Sequence, residues 1–405
     1  RRFKTLSVWL SILTVLNDLH HPAQGGLRRT RTIVPTFSYQ FYPLNEDPLS
    51  GAADVDLTTQ EVENAGLKEV LQAPGAKFGT WSLFDALLAA GQPEFVFTEP
   101  LGRSREVKTA LSGLFGRFVA RAYAEKHLGY TYFETLVRPL PKLLTRGPTA
   151  EVQGITRGDL PDWVAWNPSE QRIAIIEAKG SHHPAGPYEA LERASAQAKR
   201  AWVVGPHGPV QFKRYAIATR WGIHNQSEPH LWVDDPLVDG DSDPELLAHI
   251  GQGIERRHYA SLLKGLGHIE LAKAIIGLTN APPGVIEDQR NAAIDALKSA
   301  TALNARDPGA PADADDGVSV IGAYVTRGAI LHPEADLSER DRTRFEELGL
   351  KPTLVGIPRE RLQNSILGQG DAGSDAVYAK LAIPNVIVDR SGVVIQRSRR
   401  TAEET

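Results

Sequence analysis

The sequence contains no cysteine and no methionine. Without cysteine the chain has no disulfide, thiolate metal site, iron–sulfur cluster or cysteine nucleophile, so any bound metal must be held by oxygen or imidazole ligands. This composition fits a reducing compartment, and we expect a cytoplasmic protein. Ordinary usage would supply methionine at roughly 2% of residues. Because methionine is absent, exact short spacings are given less weight here than residue types and their order.

Long apolar runs are also missing. The most apolar stretch, residues 8–16, is about half the roughly 20 residues that a bilayer-spanning helix needs. It predicts a buried helix, and we expect no membrane partner. The remaining composition, with 41% hydrophobic and 23% charged residues among 405, is typical of a globular protein with two or three domains.

Charge is distributed unevenly along the chain. The formal net charge is -4, yet residues 101–220 contain 18 Lys and Arg against 10 Asp and Glu. A cationic segment within a mildly acidic protein indicates a local surface for a polyanion. The alternative is that these charges only solvate helix faces.

The apolar pattern divides the chain into regions of different character. Residues 1–100 mix helical and extended segments without recognisable chemistry, residues 101–235 predict an α/β core, and residues 236–302 predict helices. A segment rich in Ala, Pro, Asp and Gly at 305–317 predicts a linker. Residues 317–405 then predict a small α/β or α+β domain. Within the core we predict a helix at 106–128, strands at 162–166 and 172–179, a helix at 187–204 and a strand at 213–219.

The segment that carries chemistry is the predicted hairpin. Its turn sequence lies between two apolar runs, so Asp162 and Glu177 are expected on adjacent strands. Side chains alternate along a strand, so Glu177 and Lys179 share a face while Ala178 points away. Charged residues at the end of a buried strand cost desolvation free energy, which metal coordination or mutual pairing would offset. The alternative is a purely structural ion pair.

These residues resemble the PD-(D/E)xK nuclease superfamily, which has the restriction-endonuclease-like fold. Pro161 and Asp162 correspond to its PD, and residues 177–179 correspond to its ExK. The predicted order of helix, strand, strand, helix and strand over about residues 100–222 is similar to the family core. The resemblance implies an α/β fold with a mixed sheet flanked by helices, to which the N-terminal and C-terminal regions add further α/β or α+β structure.

The resemblance also implies a function and a set of site residues. It implies a nuclease that uses Mg²⁺, or Mn²⁺ in its place, held by Asp162, Glu177 and the carbonyl of Ala178. Such a cation suits oxygen ligands and can neutralise charge on a phosphodiester. Lys179 would orient the attacking water and stabilise developing charge.

Two further positions are expected from the family pattern. The family often has a glutamate on its first core helix, for which Glu106 is the best match and Glu125 the second. A glutamate at a helix beginning also simply complements the helix dipole. Gln197 matches a glutamine that several branches carry after ExK, although Ala201 stands where one branch has tyrosine.

The expected partner is a nucleic acid, DNA before RNA. Backbone phosphates would be contacted without sequence preference by four basic residues, namely Lys199, Arg200, Lys213 and Arg214. A homodimer is compatible with this activity because cutting both strands takes two sites.

Three classes of function remain open. The first is a metal-dependent DNA endonuclease of restriction, phage-defence or repair type. The second is a nucleic-acid-binding protein with a nuclease-like fold and little catalysis, which the intact Asp, Glu and Lys set disfavours. The third is a cytoplasmic interaction protein whose hairpin is only structural.

Overall fold

The structure is a computed structural model of the chain. It describes residues 36–43, 54–73, 96–97, 104–144, 150–154, 157–181, 187–223, 229–234, 243–305, 317–325, 330–331, 352–369 and 386–397. The predicted helix at 8–16 and almost all of the predicted linker lie outside these residues.

Three helices begin after a residue whose side chain accepts a hydrogen bond from a free backbone N–H group, namely Thr58, Ser104 and Asp243. Thr58 and Glu61 form a reciprocal capping box at the first helix, with hydrogen bonds of 2.7 and 3.1 Å. Asp243 caps the fourth helix, whose first residue is Pro244. The helices are α1 Thr59–Gln72, α2 Arg105–Lys126, α3 Pro187–Ala198, α4 Pro244–Gly265, α5 Ile269–Asn280, α6 Ile286–Ser299 and α7 Arg359–Leu367, and a short 3₁₀ turn spans Pro283–Val285.

The strands within the described ranges form four sheets. The largest has seven strands in the order β2-β1-β13-β11-β8-β7-β4, and the others are β10-β9-β6-β5, β12-β3, and β14-β15-β17-β19-β18 with β16 paired to β15. The strand bounds are β1 Thr36–Pro43, β2 Asp54–Thr58, β3 Val96–Phe97, β4 Tyr132–Thr135, β5 Lys142–Leu144, β6 Ala150–Gly154, β7 Trp163–Asn167, β8 Arg172–Ser181, β9 Ala201–Gly205, β10 Gly208–Pro209, β11 Lys213–Arg220, β12 Gly222–Ile223, β13 His230–Asp234, β14 Ala302–Ala305, β15 Val318–Val325, β16 Ile330–Leu331, β17 Thr353–Pro358, β18 Val386–Val388 and β19 Val394–Gln396.

The seven-stranded sheet is mixed, as predicted for an α/β protein. Strand β8 pairs with β11 in parallel and with β7 in antiparallel orientation, and β1 pairs with β13 in parallel. Two of its strands, β1 and β2, come from residues 1–100. The boundary predicted at residue 100 is therefore not a structural boundary, because pairing across such a long sequence separation leaves no local signal in the pattern.

Most predicted core elements are confirmed, with one correction. Helix α2 and the β7–β8 hairpin match the predictions closely. The helix predicted at 187–204 is wrong beyond Ala198, because residues Ala201–Gly205 form β9 in the four-stranded sheet. Burial alternates along β9, which is the period of a half-buried strand rather than of a helix.

Helices cover both faces of the large sheet. Ala190, Leu191 and Ala194 of α3 pack on Ala216 and Ala218 of β11. Helix α2 packs on β8 so closely that a Cβ on Gly116 would lie 2.6 Å from the Gly180 backbone. Glycine at both positions therefore permits the approach that brings α2 to the end of β8.

The predicted helical region and the C-terminal strands are also present. Helices α4, α5 and α6 occupy the helical region, and β15, β17 and the β18–β19 hairpin occupy the predicted C-terminal strands. Part of the C-terminal sheet joins the main apolar core, which extends from Leu57 to Ile395. Among the helices that the structure describes, none has both the length and the apolar character needed to cross a membrane.

Candidate active site at the end of strands β7 and β8

The hairpin register brings the two predicted carboxylates together. Trp163 pairs with Ile176, so Asp162, immediately before β7, lies opposite Glu177. The Asp162 N–H donates to the Ile176 carbonyl at 3.1 Å, and the Ala178 N–H donates to Asp162 Oδ2 at 2.7 Å. The prediction that Asp162 and Glu177 are neighbours is confirmed.

Glu177, Lys179 and Gln197 form a hydrogen-bonded chain. Glu177 is fully buried, and Lys179 Nζ donates to its Oε1 atom. Lys179 Nζ also donates to Gln197 Oε1 at 3.0 Å, while Gln197 Nε2 donates to the Leu160 carbonyl at 2.6 Å. Helix α3 thus brings Gln197, which the family resemblance singled out, into contact with Lys179.

Two residues of this site, Glu69 and Arg117, were not predicted. Arg117 of α2 contacts Asp162 Oδ1 through one nitrogen and Glu69 of α1 through two others. Its guanidinium also lies 4.7 Å from the ring centre of Trp163, and Trp163 Nε1 donates to Glu69 Oε2 at 2.9 Å. We call the following set the strand-end site: Glu69, Arg117, Asp162, Glu177, Lys179 and Gln197.

Glu69 and Arg117 are recruited by tertiary packing. Glu69 reaches the site because α1 packs on α2, where a Cβ on Gly66 would meet the Phe118 ring at 2.6 Å. In the sequence, Glu69 lies within an apolar helical pattern, and nothing in that pattern indicates its contact with Arg117. Arg117 gives a weak signal, because it is a cation between the buried Phe115 and Phe118 of α2.

Burial and like-charge repulsion set the electrostatics of the carboxylates. Burial, together with the nearby Asp162, raises the pKa of Glu177 to about 8, although Lys179 opposes the shift. Burial also raises the pKa of Asp162, against the opposing effect of Arg117. For Glu69, burial alone would raise the pKa, but Arg117 and Arg121 outweigh it and lower the pKa.

The side chains of the strand-end site provide some of the ligands that a divalent cation needs. Glu177 Oε2 is buried and has no hydrogen-bond partner among the residues that the structure describes, which is unusual for a carboxylate oxygen. A cation bound by Asp162 and Glu177 would satisfy this oxygen and relieve the repulsion between the two carboxylates. The described residues contain no cluster of three or more carboxylate or imidazole side chains with metal-binding geometry. Within this part of the chain, backbone carbonyls and water are the further ligands available to such a cation.

The prediction for Glu106 is corrected by the structure. Glu106 is exposed in the first turn of α2, and at 1.5 Å per residue it lies roughly 16 Å along the helix from Arg117. The second choice, Glu125, pairs with Lys68 at 2.7 Å and with Arg121 at 3.0 Å. Neither residue is brought to Asp162, and Glu69 is the helix glutamate nearest the hairpin carboxylates.

The four predicted phosphate contacts separate into two pairs. Lys199 is exposed, and Arg200 donates to the Asp159 carbonyl at 3.3 Å, so both flank the strand-end site next to Gln197. In the register of β11 with β8, Lys213 lies opposite Ala174. It is therefore at the other end of β8 from Lys179.

Arg214 needs a correction. Its guanidinium carbon lies 4.5 and 4.4 Å from the ring centres of Trp202 and Phe212, and only 6% of the residue is exposed. Burial lowers its pKa. A residue packed in this way contributes to the aromatic core rather than offering a surface cation to phosphate.

Three comparisons with known proteins give no match: no protein-family model, no curated protein and no solved structure is similar to this chain. The assignment of function therefore depends on the geometry of the site.

Proposed function

We propose that the protein is a metal-dependent nuclease that hydrolyses phosphodiester bonds in nucleic acid, with DNA the first substrate to test. The observation that carries this proposal is the juxtaposition of Asp162, Glu177 and Lys179 at the end of one hairpin. Two carboxylates with raised pKa values share this site with a partly exposed ammonium group. The resemblance to PD-(D/E)xK nucleases agrees with this arrangement.

The side chains have distinct tasks in the proposed reaction. Asp162 and Glu177, with the Ala178 carbonyl, would hold a Mg²⁺ or Mn²⁺ ion, which supplies charge neutralisation on the phosphate and activation of water when it is bound. The Ala178 N–H fixes the orientation of the Asp162 carboxylate.

Lys179 provides a cation that solvent and substrate can reach. Its side chain is 35% exposed, whereas Glu177 is fully buried. Gln197 holds the ammonium group from the α3 side. A lysine held in this way can orient an attacking water and stabilise the charge that develops on the phosphate oxygens.

The test is nicking of supercoiled plasmid by purified protein in Mg²⁺, with EDTA as the metal-free condition. We expect wild type to nick, and Asp162→Asn and Glu177→Gln to lose nicking while they remain folded. Glu170→Gln is the matched control, because Glu170 is an exposed carboxylate in the same hairpin that pairs with Arg172. Equal nicking by wild type and the two site variants would refute the proposal.

The same experiment distinguishes the other two classes of function. A nucleic-acid-binding protein with little catalysis would give salt-sensitive gel shifts without nicking. An interaction protein with a structural hairpin would give neither result.

A further inference from the structure

Arg117 bridges two carboxylates of the strand-end site that differ in burial. Its Nε and Nη2 atoms both contact Oε1 of Glu69, with Nε at 2.7 Å, whereas its Nη1 atom contacts Oδ1 of Asp162. The side chain of Glu69 is 2% exposed, and that of Asp162 is 13% exposed. The guanidinium group therefore has an inner edge on Glu69 and an outer edge on a proposed cation ligand.

The contact of Arg117 with Glu69 is the firmer of the two. It uses two nitrogens, and Glu69 itself accepts from Trp163 Nε1 at 2.9 Å and from Arg121 Nη1 at 3.3 Å. The guanidinium carbon of Arg117 also lies 4.7 Å from the Trp163 ring centre, which is within the range of a favourable cation–π contact. Since none of these contacts uses Nη1, this atom can leave Asp162 while the rest of the group stays in place.

A divalent cation and Arg117 would compete for the same carboxylate. Oδ2 of Asp162 accepts from the Ala178 N–H at 2.7 Å, and Oδ1 contacts Arg117. Each carboxylate oxygen has a second acceptor position, so the Ala178 N–H leaves room for a further ligand. A guanidinium group, however, is always charged and repels a dication that is held by the same carboxylate. Cation binding by Asp162 and Glu177 should therefore release Nη1 from Oδ1.

Arg117 and Lys179 are the cations of the site that solvent and substrate can reach. Their side chains are 25% and 35% exposed, whereas the side chains of Glu69 and Glu177 are 2% and 0% exposed. Charged N–H groups of arginine form strong and directional hydrogen bonds with phosphate oxygens. An arginine that is held at its inner edge and released at its outer edge is suited to such a contact.

We propose that Arg117 is a substrate contact that pairs with Asp162 until a divalent cation binds, and then binds a phosphate oxygen of the nucleic acid. The inference rests on the proposed nuclease function and adds a residue that the family resemblance did not indicate. It makes the contribution of Arg117 to nucleic-acid affinity depend on the cation. The alternative is that Arg117 only neutralises Glu69 and Asp162 within the fold.

The first measurement is Mn²⁺ affinity, by isothermal titration calorimetry of the full chain at pH 7. Arg117→Gln removes the competing charge, so we expect it to bind Mn²⁺ at least about tenfold more tightly than wild type. Lys126→Gln is the matched control, because Lys126 also lies on α2 and also pairs with a glutamate of α1, Glu61, at 3.0 Å. Lys126 is roughly 14 Å along the helix from Arg117, and its variant should bind Mn²⁺ as wild type does.

The second measurement is affinity for a duplex DNA oligonucleotide, once with Ca²⁺ and once with EDTA. With Ca²⁺, Arg117→Gln should bind the duplex about tenfold more weakly than wild type, because one charge-assisted hydrogen bond is lost. With EDTA, Arg117 of wild type stays on Asp162, and the two proteins should bind with similar affinity. A purely structural role would change the affinity equally in both conditions.

A pair of variants keeps the test decisive if Arg117→Gln is poorly folded because Glu69 has lost its main cation. The double variant Glu69→Gln, Arg117→Gln removes both buried partners, and it is compared with Glu69→Gln alone. We expect the double variant to bind Mn²⁺ at least about tenfold more tightly than Glu69→Gln. The reason is that Arg117 remains at Asp162 only in the single variant.

The outcomes distinguish failure of this inference from failure of the proposed function. Absence of saturable Mn²⁺ binding or of duplex binding by wild type would refute the proposed nuclease function, and this inference with it. If wild type binds both, Mn²⁺ affinity that is no higher without Arg117 would overturn the role of Arg117 alone. Duplex affinity that Arg117→Gln leaves unchanged with Ca²⁺, or lowers equally with Ca²⁺ and with EDTA, would overturn that role as well.

Discussion

Two groups of charged side chains begin at neighbouring residues of α1, Lys68 and Glu69, and they differ in how their charges are balanced. Lys68 is 1% exposed and pairs with both Glu125 and Asp389. Burial alone would raise the pKa of Asp389, but Lys68 and a neighbouring serine hydroxyl lower it below its usual value. Arg121 completes this group, which we call the closed cluster, by pairing with Glu125 at 3.0 Å.

The strand-end site has the opposite balance. Glu69 is well compensated and has a lowered pKa, but Asp162 and Glu177 both have raised pKa values despite Arg117 and Lys179. One oxygen of Glu177 has no hydrogen-bond partner among the described residues. The cations of the site therefore do not offset the cost of ionising Asp162 and Glu177.

We interpret this difference as that between a structural group of charges and the proposed functional one. Buried ions that are fully paired favour the one folded arrangement in which the partners meet. Removing one partner leaves the other as an uncompensated buried charge, which destabilises the fold. Carboxylates with raised pKa values are instead ready to accept a cation, and such perturbation clusters at functional sites. We therefore expect changes in the closed cluster to affect stability, and changes in the strand-end site to affect chemistry.

After the loss of nicking expected for the Asp162 and Glu177 variants, the next largest effect on chemistry is expected for Lys179. If it acts on the attacking water, Lys179→Ala should lower the single-turnover cleavage rate by about 10² to 10⁴, while affinity for nucleic acid changes much less. Cleavage is measured with Mg²⁺, and binding is measured with Ca²⁺ in its place. Normal cleavage with collapsed binding would make Lys179 a phosphate contact and remove its catalytic role.

The two buried or partly buried lysines should differ in stability. Lys68→Met leaves Glu125 and Asp389 without their cation and should lower the free energy of unfolding by about 3 to 5 kcal/mol. Lys179→Met removes a side chain that is 35% exposed, so solvent screening limits the loss to less than about 1 kcal/mol. Urea unfolding at pH 7 measures the free energy of unfolding of both variants. Equal losses of stability would contradict the distinction between the closed cluster and the strand-end site.

The pH dependence of stability should have opposite signs at the two sites. Between pH 4.5 and about 8, the folded state keeps a proton at Glu177 that the unfolded chain has released, so stability falls as the pH rises. Glutamine cannot ionise, so Glu177→Gln should remove this loss of stability at high pH. In EDTA at pH 9, the free energy of unfolding of the variant should exceed that of wild type by on the order of 3 kcal/mol.

The matched variant in the closed cluster is Asp389→Asn. In the wild-type protein the pKa of Asp389 is lowered by folding, so its ionised carboxylate contributes stability above the unfolded pKa of 3.8. This contribution disappears as the pH falls through the folded pKa. Asp389→Asn should therefore be destabilised at pH 9, where Glu177→Gln is stabilised. The account is contradicted if the two variants shift stability in the same direction at that pH.

The smallest effect is expected for the basic residues beside the site. Replacing Lys199 and Arg200 with glutamine should reduce the slope of log affinity against log salt by roughly 0.9 for each duplex DNA phosphate that the variant no longer neutralises. Lys273 and Lys298, both largely exposed, provide a control pair on distant helices. An unchanged slope for the Lys199 and Arg200 variant would remove these residues from the binding surface.

Local patterns predict the hairpin because the information lies within a short segment. The apolar alternation and turn residues between Asp162 and Lys179 fix the register, and the register alone sets the two carboxylates opposite each other. Gln197 is expected only from the family resemblance, and its contact with Lys179 is visible only in the structure. The predicted end of α3 is wrong because the apolar residues of β9 continue the helical pattern without a glycine or proline between them.

The remaining features depend on contacts that are distant in sequence. Glu69 joins the site across 48 residues from Arg117, and Lys68 meets Asp389 across 321 residues. No local period encodes such pairs, so α1 could not be assigned to the core from its pattern. Arg214 illustrates the reverse case, in which a basic residue in a cationic segment is buried between aromatic rings.

The most direct test of the strand-end site as a cation site is Mn²⁺ binding by isothermal titration calorimetry at pH 7, in two buffers with different ionisation enthalpies. We expect one Mn²⁺ per wild-type chain, with release of a proton because Glu177, with a pKa of about 8, is largely protonated before binding. Glu177→Gln should lose this binding, whereas Glu170→Gln should retain it. Absence of saturable Mn²⁺ binding by wild type, or full binding by Glu177→Gln, would contradict the assignment of Asp162 and Glu177 as a cation site.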